Sequence, residues 1–181
     1  MPLKEPSPWV LNLLATPVGA LAAALLMIGW GHIEVAWNFG PSESGIFTPA
    51  VIVLAAILIG MAALIAVHEL IHAVCYPQFG LTPATLIAFW PSKLLFLAAY
   101  YEALPRNRLL LVYLMPFVVL SVLQLLFCKV LGTSSALLMA VSIVNGLFSG
   151  GDLVCVALIA GQVPRRAILR NQGWATWWKM A

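Results

Sequence analysis

The stretch Ala50–Val74, AVIVLAAILIGMAALIAVHELIHAV, is apolar from end to end except for three side chains near its close, His68, Glu69 and His72. About 20 such residues are what a helix needs to cross a hydrocarbon core of about 30 Å. A charged side chain at the middle of a span costs about 2.5–3.5 kcal/mol on insertion scales, so clustered imidazoles and a carboxylate there point to function. On a helix His68 and His72 stand at i and i+4, one turn apart on one face, so both rings can reach a single Zn²⁺ at about 2.0–2.1 Å. Glu69 sits at the edge of that face, placed to take a proton from a water rather than to bind the metal. A polar cluster that only ties helices together needs one or two such groups, not three in this spacing.

Working outward, the remainder of the 181 residues has the same character. The chain is 63% hydrophobic and 8% charged, with a mean hydropathy of +1.03, whereas soluble domains carry roughly a quarter of charged residues. The expected fold is an all-α polytopic membrane protein, one domain over residues 1–181. Its four transmembrane helices fall at about 10–30, 50–74, 109–128 and 136–160. The first apolar run exceeds the roughly 7–15 residues of a signal-peptide core and reads as a retained span. Cys75, Cys128 and Cys155 each fall in an apolar run, too few and too scattered for a disulfide framework or a thiolate metal site.

Between spans one and two, Gly31, Gly40, Pro41, Ser42 and Gly45 exclude a continuing helix, and the segment carries Glu34 and Glu43 but no Lys or Arg. Between spans two and three, Leu81 to Tyr101 is long and apolar enough to be ambiguous, but Pro83, Pro91 and Lys93 argue against a further span. Leu86 to Trp90 and Leu94 to Tyr101 read instead as extended or re-entrant segments around a Pro91-Ser92 turn. With four spans, every Lys and Arg except Lys129 lies on one side, which positive-inside bias makes cytoplasmic. Both termini are expected there, in a bacterial cytoplasmic membrane. Trp174, Trp177 and Trp178, near Arg170 and Lys179, read as an interfacial tail. The expected partners are the lipid bilayer and a membrane protein or peptide substrate, with no nucleic acid.

Two histidines leave zinc short of its usual three protein ligands. His32 and Glu34 belong to the opposite end of the bundle, and Glu102 reaches the site only if its connection folds back. Asp152 is the remaining intramembrane acid, at a depth in span four similar to that of His68 in span two. It closes a polar stripe of Ser135, Ser142, Asn145, Ser149 and Asp152, spaced by sevens, threes and fours on one face. Ser149, Gly150 and Gly151, with Gly60, Ala63 and Ala66 on span two, suggest a close approach of the two backbones at this level.

The His-Glu-x-x-His span, the apolar extended segments, an early proline in the next span (Leu114-Met115-Pro116) and a late Asp resemble site-2 proteases, the intramembrane zinc metallopeptidases. The match is closer to a small bacterial family, a domain of unknown function described as "Putative zincin peptidase". Tyr100-Tyr101, Pro105-Arg106-Asn107-Arg108, Pro116-Phe117 and Ser149-Gly150-Gly151-Asp152 are similar to that family's pattern, over roughly Val67 to Leu158. The resemblance implies His68, His72 and Asp152 as zinc ligands and Glu69 as the base. Site-2 proteases carry Asn and two prolines before Leu-Asp-Gly; here Asn145 stands seven residues ahead of Asp152, no proline intervenes, and Leu153 follows. Asn145 and Ser149 are candidates for substrate binding or transition-state support. The expected activity is zinc-dependent hydrolysis of peptide bonds in membrane-associated proteins near the cytoplasmic face. The alternative is a zinc-binding membrane scaffold or an inactive relative, against which the presence of Glu69 argues.

Overall fold

The computed structural model describes residues 1–33, 50–90, 95–133, 135–172 and 175–181. The turn formers between Gly40 and Gly45, Glu34 and Glu43, the Pro91-Ser92 turn with Lys93, and Trp174 lie outside the described residues.

Among the described residues three helices are long and apolar enough to cross a membrane, and a bent pair makes up to four. Helix α1 (Pro8–Trp30) begins with proline in its first turn, where the absent N–H costs no helical bond. Helix α2 is Ala50–Val74. From Ala50 to Ala63 every residue of α2 is exposed, which suits a helix apolar on all sides only in a lipid solvent. The third helix runs from Arg106 to Leu131 as α3 (Arg106–Phe117), a π-turn at Val118–Val122 and α4 (Leu123–Leu131), closed by Gly132 in the left-handed conformation.

The expected fourth span is broken. Helices α5 (Ala136–Phe148) and α6 (Gly150–Gln162) meet at 48°. Two local features account for the bend. The Ser149 hydroxyl donates back to the carbonyl of Asn145 at 2.8 Å, a bond that bends helices. Gly150 then lies so close to α1 that an added Cβ would collide with the carbonyl oxygen of Ala15. The small residues therefore bring α5 and α6 against α1 rather than against α2. An added Cβ at Gly60 would meet nothing within 4 Å, and Ala63 and Ala66 are exposed. The close packing expected between spans two and four is thus made elsewhere, and α2 packs chiefly on α3 and on strand β2.

The all-α expectation also needs correction, because the described residues also form two small sheets. Strands β1 (Thr85–Trp90) and β2 (Leu95–Tyr100) form an antiparallel hairpin with Thr85 opposite Tyr100 and Trp90 opposite Leu95. This is the extended segment anticipated between spans two and three. The second sheet joins β3 (Leu104–Pro105), β4 (Ala167–Gln172) and β5 (Ala175–Met180), in that order. The C-terminal segment read as an interfacial tail thus forms a strand pair over its described residues. Alternation explains it: Ala167 and Leu169 are buried while Arg170 faces out. The N-terminal residues pair with the same sheet, Leu3 N–H donating to Thr176 O and Trp178 N–H to Met1 O, both at 2.8 Å. Leu3, Tyr76, Tyr100, Leu104, Leu109, Val112, Ile159 and Leu169 share the core beneath the sheets, and His72 sits beside Val112 at its edge.

Candidate metal centre

His68 and His72 project from the last two turns of α2, and their rings lie edge to face with centroids 4.9 Å apart. Both are buried. Asp152 reaches them from the first turn of α6, where the helix dipole favours a carboxylate. Its Oδ2 is 3.0 Å from His68 Nε2, although 84 positions separate the two residues, and 3.3 Å from His72 Nε2. The bend after Phe148 matters here, because it starts a new helix and with it a new N-terminus beside the histidines.

The outer partners determine what those nitrogens carry. His72 Nδ1 lies 2.8 Å from the backbone carbonyl of Val112, which can only accept, so Nδ1 bears the hydrogen. On the other ring, Asn145 Nδ2 is 3.1 Å from the Pro116 carbonyl and 2.9 Å from Ser121 Oγ. That fixes the amide orientation and turns Oδ1 towards His68 Nδ1, which donates to it at 2.8 Å. In neutral rings both Nε2 atoms then present lone pairs, and they converge on a carboxylate oxygen. Three acceptors at this spacing repel one another unless a cation or a proton lies among them. A pair of imidazoles and a carboxylate, with each imidazole's far nitrogen donating to an oxygen, is the donor set and outer shell that zinc takes. The residues fit a zinc ion.

Glu69 belongs to the same cluster: its carboxylate and the two imidazoles offer atoms within 4.8 Å of one another. Its Oε2 accepts the backbone N–H of Ala98 on β2 at 2.8 Å. The hydroxyl of Tyr76 donates to Ala98 O at 3.1 Å and its ring stacks on Tyr100. Burial pushes the Tyr76 phenol above its ordinary range, and the nearby Glu69 carboxylate adds to the effect, so the group remains a donor. Both polar groups of Ala98 are therefore turned from β1 towards α2, which places the free edge of β2 over the cluster.

A family model described as "Putative zincin peptidase" matches residues 61–168, which include all four of these side chains. The chain belongs to this family. Comparison with the curated proteins and with the solved structures finds no match. Membership implies zinc, and His68, Glu69 and His72 form a group able to hold a metal.

Of the residues singled out in the sequence, His68, Glu69, His72 and Asp152 come together. Asn145 and Ser149 lie behind them, fully buried, with Asn145 on His68 and Ser149 bonded to the Asn145 carbonyl. Glu102 does not join the cluster; it accepts from the Tyr100 hydroxyl at 3.3 Å and is exposed. His32 is exposed at the far end of α1. Sequence reasoning missed Ser121, the Val112 carbonyl and the Ala98 N–H. A lone serine in an apolar span was a signal for the first, and the others are backbone groups with no signature of their own.

Proposed function

We propose that this chain is an integral-membrane zinc metallopeptidase of the site-2-protease type, hydrolysing peptide bonds in membrane-associated proteins near the cytoplasmic face. One observation carries the reading: two imidazoles whose Nδ1 atoms are committed as donors converge with Asp152, and the Glu69 carboxylate lies beside them. His68, His72 and Asp152 would hold the metal. Zn²⁺ bound there would lower the pKa of a water to about 7 and polarise the scissile carbonyl. Glu69 accepts the proton of the attacking water and returns it to the leaving amine. Asn145 holds the His68 ring in place, and Ser149 buttresses Asn145. A substrate segment in extended form can add to the open edge of β2, exchanging its own backbone groups for the Glu69 and Tyr76 contacts at Ala98. That exchange would unwind a substrate helix, whose peptide bonds are otherwise shielded by internal hydrogen bonds.

Metal removal tests the assignment. Purified protein in detergent should contain about one zinc per chain, lose hydrolysis of single-span membrane peptides on chelation, and regain it when Zn²⁺ is returned. Cleavage persisting in metal-free protein would defeat the reading.

The cytoplasmic placement of both ends has its own support in the charge distribution and in the pairing of residues 1–3 with β5, which keeps the termini on one side. A reporter joined after Ala181 should be active only if of the kind that works in the cytoplasm. Activity of an exported reporter at that position would reverse the orientation.

A further inference from the structure

The His72 ring is oriented by a carbonyl that lacks its own helical partner. Within α3 the oxygen of Val112 should accept the N–H of residue 116, four positions on, but residue 116 is proline and has none. Val112 is almost wholly buried, so its orphaned carbonyl needs another donor, and His72 Nδ1 supplies it at 2.8 Å. The same proline touches the second ligand. Its carbonyl accepts Asn145 Nδ2 at 3.1 Å, and that bond turns Asn145 Oδ1 towards His68. The π-turn directly after it brings Ser121 Oγ to the other side of the same amide at 2.9 Å.

We infer that Pro116 is a positioning residue for the metal centre, acting through the N–H it lacks: it releases the Val112 carbonyl to accept from His72 Nδ1 and so holds the ring with Nε2 directed at Asp152. An alanine at 116 would restore the helical bond and withdraw the Val112 carbonyl from His72. The inference rests on the metallopeptidase reading for its consequence in zinc binding, but the Nδ1–H bond is a property of the metal-free chain and can be read without that assumption.

Three full-length variants in detergent separate the possibilities. Pro116→Ala supplies the N–H. A backbone ester at 116, made by incorporating lactic acid, lacks both the ring and the N–H. Pro17→Ala removes the proline inside α1, whose released carbonyl belongs to the exposed Leu13, away from the site. In metal-free protein, ¹⁵N spectra of labelled histidine should show a hydrogen-bonded His72 Nδ1–H in wild type, in the ester and in Pro17→Ala, and its loss in Pro116→Ala. Zinc affinity by chelator competition should fall about 10- to 100-fold in Pro116→Ala, the usual cost of losing an outer-shell partner, with no fall in its thermal midpoint. The ester should keep wild-type affinity.

A hydrogen-bonded His72 Nδ1–H retained in Pro116→Ala overturns the inference, as does an ester that behaves like the alanine variant. Failure of Pro116→Ala to fold would mark the proline as a structural requirement and overturn it too. Wild-type protein that binds no zinc but shows the expected pattern of Nδ1–H bonds across the variants would instead defeat the metallopeptidase reading and leave the role of Pro116 supported.

Discussion

Glu69→Gln should retain zinc, fold and substrate binding while hydrolysis falls by about 10²–10⁴-fold, the range that general acid–base catalysis contributes. The substitution is conservative in the contact that matters structurally. A glutamine keeps an oxygen to accept the Ala98 N–H, so β2 stays docked on α2. It removes only the capacity to take a proton from water. Because Glu69 is not among the atoms meeting at Asp152 Oδ2, the three candidate ligands are undisturbed. Measured against single-span membrane peptides with metal content determined on the same preparation, turnover near the wild-type rate would turn the assignment towards the scaffold alternative.

Asp152→Ala should abolish most zinc binding, with a loss larger than the about 10–100-fold that removal of an outer-shell partner costs. Among the described residues the carboxylate is the one anionic group within 3.3 Å of both Nε2 atoms. Without it two neutral imidazoles remain, one ligand short of the three that catalytic zinc requires. Asp152→Glu should hold metal with reduced affinity, since the longer arm keeps the ligand type and shifts its position. Ser142→Ala is the control on the same polar stripe. Its hydroxyl donates to the Ser121 carbonyl and accepts the Trp30 indole N–H at 3.0 Å, and it touches neither histidine. Zinc stoichiometry of folded, purified variants decides the matter, and undiminished zinc in Asp152→Ala would exclude the aspartate as a ligand.

Both outcomes concern residues that were legible before any coordinates. Spacing of four on a helix sets His68 and His72 on one face whatever surrounds them, and the cost of an unpaired carboxylate in an apolar span singles out Asp152. Packing is another matter. Gly60, Ala63 and Ala66 have the composition of a helix-contact face, yet they are exposed, while Gly150 meets Ala15 of a helix that sequence reasoning had not matched to it. Small residues permit close approach without naming the partner. The sheets divide the same way: the β1–β2 hairpin joins neighbours in the chain and was anticipated as extended, whereas β3 pairs with β4 across more than half the remaining sequence.

What the sequence by itself determined is therefore local or solvent-driven: apolar spans long enough for a bilayer, a His-Glu-x-x-His face, and an acid at the matching depth. Each follows from residue period, helix rise or transfer cost, which need no knowledge of neighbours. Only the tertiary structure decided that the last apolar run bends at Ser149, that Asn145 faces His68, and that the carbonyl released by Pro116 meets His72. Those facts depend on which backbone group lies opposite which side chain across tens of residues, and a peptide carbonyl has the same chemical identity at every position until the fold gives it a partner.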